Sequence, residues 1–290
     1  MLMANSWYED LNAYIRLGEP QMKKKAAIWQ TAIGLQAVDG LKISAYLLKT
    51  AKENIEGKIT SKEANAQISN YYEDCCDRHA IEAGTKEADI VAGRIAALLA
   101  EKDFSFTSAF WMSVHRYLFK DVFMHAGKIR TYNIYKNEWV LNGKSVFYAS
   151  YDSIPMTMEY DFKTEAAFSY KNLSRDAISR HLAQFTCDIW QIHPFGEGNT
   201  RSTAVFIIKY LNSLGYSISN EAFAKYSWYF RNALVRANYN DLPNGVHATT
   251  VYLEKFFENL LYNGNNEIKN RYLHVVLHKV APVMERGLKS

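Results

Sequence analysis

Proline is scarce in this 290-residue chain, at 5 residues, and glycine contributes only 14. Turn punctuation that thin excludes a sandwich or barrel built from many short strands. Cysteine is scarcer still: Cys75, Cys76 and Cys187 are odd in number, and two of them are adjacent. They suit neither a disulfide framework nor a zinc site made from paired Cys-x-x-Cys steps, so reduced thiols are the simpler account. Charge of one sign barely accumulates, because 34 Lys and Arg face 30 Asp and Glu for a net +4. That excess is too dilute for a polyanion-binding scaffold, and no Lys/Arg stripe marks a nucleic-acid face. Long hydrophobic runs are missing too, which excludes a membrane span read from the sequence. The first ten residues turn acidic and aromatic at Trp7-Tyr8-Glu9-Asp10 with no cationic stretch before them. No export signal is expected, and the expected location is cytoplasmic.

What is present is an apolar, aromatic chain: 48% hydrophobic, 14% aromatic and 22% charged. That composition is a globular one, and a chain of this length buries about three quarters of its unfolded surface without disulfides. Apolar residues recur at spacings of three and four, which predicts helices over 20–38, 43–56, 60–73, 86–101, 106–124, 174–191, 201–214, 220–238 and 247–262. The expected fold class is therefore all-α. One segment departs from it: in 129–147, Asn142-Gly143 separates Glu138-Trp139-Val140-Leu141 from Lys144-Ser145-Val146-Phe147. Asn-Gly between two β-prone runs predicts a small hairpin, since both central residues of a type I′ turn need positive φ. A hairpin of this kind is either a ribbon covering apolar area or an edge that docks an extended peptide.

The densest polar cluster runs from Trp190 to Arg201, between two helical patterns. The segment after it, Ser202 to Leu214, is apolar on nearly every side with Gly215 as its stop, so this helix is expected to be buried. A Gly/Asn/Thr loop feeding the first turn of a buried helix presents free backbone N–H groups and the positive end of the helix dipole, which suits a phosphate. Arg201 can hold phosphate oxygens, Glu197 can ligate Mg²⁺ and His193 can take a proton near neutral pH. The order Gly-x-x-x-x-Gly-Lys-Ser/Thr is absent and no strand precedes the loop, which excludes both a P-loop and a Rossmann fingerprint.

His193-Pro194-Phe195-Gly196-Glu197-Gly198-Asn199-Thr200-Arg201-Ser202-Thr203-Ala204 resembles the signature of the Fic family, His-x-Phe-x-Asp/Glu-Gly-Asn-Gly-Arg-x-x-Arg. Upstream, Ala126 to Asn133 resembles the strand that opens the family's hairpin flap, and downstream Trp228 to Leu234 resembles its helix near the nucleotide. The resemblance covers about residues 86–262. It implies a helical bundle with a small β-hairpin flap, and transfer of AMP from ATP to a Ser, Thr or Tyr hydroxyl of a protein, with Mg²⁺ as cofactor. Positions then carry over: His193 as general base, Glu197 as Mg²⁺ ligand, Gly198, Asn199 and Thr200 as the anion hole, Arg201 as phosphate ligand and Phe195 as a core anchor. Trp139, Val140, Leu141, Val146 and Phe147 would dock the target by strand addition.

Two positions depart from the family pattern. Thr200 replaces a Gly, so a reshaped loop with an added hydroxyl contact to phosphate is expected. Ala204 replaces the second Arg, which in relatives holds the γ-phosphate and pairs with an inhibitory Glu. The implied division is 1–80, a helical module resembling an antitoxin-like inhibitor, and 81–290, the catalytic domain. In that module Asp39-Gly40 would take the Glu-Gly place and Leu35 the Ser/Thr place, with Glu56-Gly57 as a rival. Without an Arg at 204 the usual inhibitory ion pair is not expected. The implied partners are a nucleotide and a protein substrate, this chain's own 20 tyrosines included, with no nucleic acid or membrane and with an oligomer left open. Two alternatives stand beside AMP transfer: a Fic-fold transferase with another nucleotide or phospho-donor, and a nucleotide-binding module without turnover.

Overall fold

A computed structural model describes residues 6–74, 83–218 and 220–275. Among these residues the regular structure is eleven α-helices: α1 (Ser6–Leu17), α2 (Pro20–Gly34), α3 (Ala45–Ile55), α4 (Ser61–Asp74), α5 (Ala83–Ala100), α6 (Ser108–Phe119), α7 (Ile154–Ala166), α8 (Arg175–Ile192), α9 (Asn199–Ser213), α10 (Asn220–Ala237) and α11 (Val251–Tyr262). None is long and apolar enough to cross a membrane. Short polar side chains start several of them: Ser44, Thr107 and Ser174 each accept a backbone N–H three residues on, from Leu47, Phe110 and Ala177. At α4, Thr60 and Glu63 exchange bonds in a capping box.

All the expected helices are present, the first ending in a 3-10 turn at Leu35–Asp39 and the last starting at Val251. Two more, α1 and α7, were not predicted. In α7 the buried residues Ile154, Met158, Phe162 and Glu165 have helical spacing, but exposed Met156 and Tyr160 blur the stripe. Pro155, which reads as a breaker, is here a first-turn residue.

The expected hairpin does not form. Among the described residues there is no strand, only an isolated bridge between Asp241 and Val246. The chain does reverse at Asn142-Gly143 with positive φ at both, 55° and 85°. One backbone bond crosses the turn, from the Glu138 N–H to the Lys144 carbonyl, but no ladder follows, because Val140 and Leu141 are both buried, whereas a strand would send them to opposite faces. A 3-10 turn at Trp139–Leu141 achieves that burial, and Val140's carbonyl accepts the N–H of Val275 instead of a cross-strand donor.

Helix α9 occupies the centre. Every residue from Asn199 to Leu211 is buried, against α5, α6, α8 and the 35–39 turn. Phe206 and Tyr210 of α9 meet Phe106, Trp111, Phe162 and Phe185 in one aromatic cluster. The apolar core runs without a break from Leu11 to Val275.

Candidate active site

The segment between α8 and α9 places the motif. His193 ends α8 in the left-handed region (φ 48°) and is 3% exposed. Its Nδ1 lies 3.1 Å from the carbonyl of Trp190, which can only accept, so Nδ1 carries the proton and Nε2 holds the free lone pair. Tyr148 packs against the ring at 4.1 Å and Trp190 meets it edge-on. Burial holds the imidazole well below the usual histidine pKa, helped by the cations of Lys136, Arg231 and Arg130, so the ring is unprotonated at physiological pH.

Arg130 fixes this corner, a role its sequence position did not reveal. Its Nε donates to the carbonyl of His193 at 2.8 Å, and its other nitrogens reach the carbonyls of Tyr132, Ile192 and Ala149. The base is thus held through its own main chain.

After His193 the loop is locked from below. His115 of α6 takes the Gly127 N–H at Nδ1 and donates from Nε2 to the carbonyl of Glu197 at 2.9 Å, while stacking on Phe195 at 3.6 Å. Burial pushes its pKa down to about 3, which keeps the tautomer that this pair of bonds requires. Asn199 turns inward: Oδ1 accepts the N–H of Phe195 and Nδ2 donates to its carbonyl. At Gly198 φ is 78°, and a Cβ would meet the Phe119 ring at 2.4 Å, so only glycine fits there.

Thr200 sits in the first turn of α9 without strain, and its Oγ1 accepts the indole N–H of Trp190 at 3.0 Å. That bond ties the hydroxyl oxygen into the core and leaves its hydrogen as the remaining donor. The anion-binding groups that remain at 199–201 are main-chain N–H groups, which have no acceptor among the described residues because a helix start leaves them free.

Arg201 does not face an open cleft. It is 1% exposed, over Phe119. Nη2 donates to Glu87 Oε1 at 2.6 Å, Nη1 to Gln36 Oε1 at 3.2 Å, and Nε lies 2.8 Å from Asp39 Oδ2. That last contact is an ion pair off the N–H axis, so the Nε hydrogen has no aligned acceptor. Asp39 thus pairs with Arg201 and not with position 204, where Ala204 is enclosed in the core. Gly40 closes the 35–39 turn at φ 70°. The rival Glu56 is engaged by Tyr14 and Lys58 instead.

Glu197 points outward, and its Oε2 accepts from Lys136 Nζ at 2.8 Å. No group of three His, Cys, Asp or Glu among the described residues can hold a metal ion. A single half-exposed carboxylate still suits Mg²⁺, an ion that keeps waters and shares its coordination with substrate phosphates. Of the expected docking residues, Trp139 and Phe147 are exposed, whereas Val140, Leu141 and Val146 are core. Behind them a buried Glu138 is clamped by both terminal nitrogens of Arg231 at 2.6 and 3.1 Å, and Tyr148 reaches the same carboxylate at 3.3 Å. Cys187 is buried and free, and Cys75 and Cys76 lie outside the described residues.

Residues 105–211 match the model of the Fic/DOC family. A probable protein adenylyltransferase, y4lH of Sinorhizobium fredii, is 27% identical over 150 residues, which is 51% of this chain and 73% of that protein. The probable protein adenylyltransferase Fic of Salmonella typhimurium is 24% identical over 116 residues, covering 40% of this chain and 55% of its own length. Among solved structures, the N-terminal Fic domain of an effector protein from Bartonella sp. AR 15-3 aligns with a TM-score of 0.50 at 16% identity, over 64% of this chain and 86% of that one. At that identity the likeness is one of fold.

Proposed function

We propose that this chain, which carries a Fic/DOC family domain at residues 105–211, transfers AMP from ATP to a Ser, Thr or Tyr hydroxyl of a protein. The observation that carries this reading is the neutral His193 with Nε2 free for a proton, set beside the unpaired amides that open α9. Two relatives named as probable protein adenylyltransferases support it at family level.

In the reaction, Nε2 of His193 takes the hydroxyl proton while the hydroxyl oxygen attacks the α-phosphorus. The bond to the bridging oxygen breaks, and pyrophosphate leaves with its electron pair. The amides of 199–201 face the phosphate oxygens as charge builds on them, already oriented and at no cost of reorganisation. Glu197 would hold Mg²⁺, which supplies charge neutralisation when bound. On the target side, exposed Trp139 and Phe147 offer aromatic contacts to the substrate protein.

The module at 1–80 then acts as an inhibitor through Asp39: with Glu87 it neutralises Arg201, while Gln36 accepts a further guanidinium N–H, so a phosphate must displace carboxylates to reach the guanidinium. Ala204 leaves the γ-phosphate without its second arginine, and this favours testing other donors.

Intact-mass measurement after incubation with Mg²⁺ and ATP, UTP, GTP or CTP, with a candidate protein target, is the test. A His193-dependent gain of one AMP is the expected result. Transfer that survives His193→Ala, or one that prefers a non-adenine donor, rejects this reading.

A further inference from the structure

The contact between Lys136 and Glu197 has no part in the transfer scheme above. Lys136 lies in the loop between α6 and α7, where Ser145 Oγ accepts its backbone N–H at 3.1 Å, and Nζ donates to Glu197 Oε2 at 2.8 Å. The lysine side chain is 23% exposed and the carboxylate 55%, so the pair is open to solvent on the outer side of the motif. After burial, the Lys136 ammonium is the largest influence opposing protonation of His193, which places this cation within electrostatic reach of the base as well. A surface ion pair of this exposure contributes little to folding. Stability therefore does not account for a lysine that reaches the one outward carboxylate of the motif.

We propose that Lys136 is a protein-borne counter-cation for the phosphates of a nucleoside polyphosphate. It is paired with Glu197 while no ligand is present, and it offers its ammonium to a phosphate oxygen when the nucleotide enters, so binding persists without a divalent ion. This inference rests on the nucleotide reading of the site. An ammonium has three donors on a flexible stem and can keep Glu197 while taking a phosphate oxygen. With Arg201 buried between Asp39 and Glu87, Lys136 is the more accessible cation beside the motif and is open to an arriving phosphate. Mg²⁺ at Glu197 would bring charge to the same place, so the two cations are partly redundant, and the contribution of Lys136 shows when the metal is withheld.

The test is calorimetric titration of the full chain with the ATP analogue AMPPNP, in Mg²⁺ and in EDTA. Lys136, Lys136→Met and Lys136→Arg are compared, each with Asp39 and with Asp39→Asn so that the Arg201 ion pair does not mask binding. In EDTA, Lys136→Met is expected to weaken binding roughly tenfold or more, the scale of one lost charge-assisted bond, and Lys136→Arg to restore most of it. In Mg²⁺ the loss is expected to fall below about threefold. Equal affinity with and without the lysine in EDTA overturns the proposal, and so does an equal loss in both conditions, which would mark a merely structural residue. Binding in Mg²⁺ that ignores Lys136 and vanishes in EDTA for every variant overturns the proposal but leaves the nucleotide reading intact. No binding by any variant in either condition overturns both.

Discussion

Replacing Asp39 by Asn removes one of the two carboxylates that hold Arg201, and the structure sets the size of two opposing effects. The Asp39 side chain is 29% exposed and the Arg201 side chain 2%, with Nε and Oδ2 2.8 Å apart. Exposed pairs contribute about 0–1 kcal/mol, and breaking a buried pair costs about 3–5 kcal/mol. Glu87 still compensates the guanidinium at 2.6 Å, so the loss belongs between these limits, about 1–2 kcal/mol. In a chain of this size that lowers Tm by roughly 2–8 °C. Affinity moves the other way, because a phosphate reaching Arg201 no longer competes with Asp39. Recovering about 1.4 kcal/mol of that competition tightens binding roughly tenfold.

Urea unfolding and calorimetric titration with AMPPNP in Mg²⁺ on the same samples read both effects. The decisive result is a variant that is less stable without ligand yet binds more tightly. A loss of stability with unchanged affinity would refute the reasoning, since Asp39 would then be a packing residue with no bearing on the anion site. Adding Glu87→Gln sharpens the contrast. Arg201 would then be buried with no carboxylate partner, and the double loss is expected to exceed the sum of the single ones, because each acid compensates for removal of the other.

Glu138→Ala leaves Arg231 without its buried carboxylate and is expected to cost about 3–5 kcal/mol; a fall in Tm of less than about 4 °C would show that the pair is not a fastening of the loop to α10. Burial next to Asp188 raises the Asp161 carboxyl from 3.8 to about 6, so the folded chain holds this proton more tightly than the unfolded one. Its contribution is therefore favourable at low pH and is lost as pH rises through 6. Asp161→Asn is expected to stabilise by roughly 1 kcal/mol at pH 8, after allowance for solvent screening, and by nothing at pH 4, read from urea curves at both values. Burial pushes the Cys187 thiol up to about 12, so iodoacetamide followed by peptide mapping should leave it unmodified in the native chain and label it in urea; rapid native labelling would contradict its burial.

What could be read without coordinates follows the physics of each feature. Helical spacing is a local signal, and it located nine of the helices; α7 escaped because two exposed apolar residues and a proline blur a stripe that only four buried positions define. Asn142-Gly143 carried a sound signal for a reversal, and positive φ at both residues agrees with it. The inference from a turn to a ladder failed because pairing depends on where the flanks are buried. Val140 and Leu141 both enter the core, and Val275, 135 residues away along the sequence, takes the carbonyl that a hairpin partner would need.

The motif shows the same division. His193, Phe195, Glu197 and Gly198 sit where contiguous spacing puts them, because a loop between two helices leaves few alternatives. The environment that defines their chemistry comes from elsewhere: Arg130 behind the base, His115 beneath the loop, Glu87 and Asp39 on Arg201, and Lys136 on Glu197. Each lies in its own segment, about 60 to 160 positions from its partner, and local spacing carries no signal of the pairing. Even Thr200, read as a departure that reshapes the loop, proves to satisfy the indole N–H of Trp190, a buried donor that a glycine there would leave unpaired. The sequence marks Asp39 by its place before Gly40, and Ala204 removes only the arginine of the usual pair. Asp39 pairs with Arg201 because Glu87 and the ring of Phe119 bring that guanidinium toward the 35–39 turn. The pair joins positions far apart in the sequence, 39 and 201, and it is a product of packing that contiguous spacing does not contain.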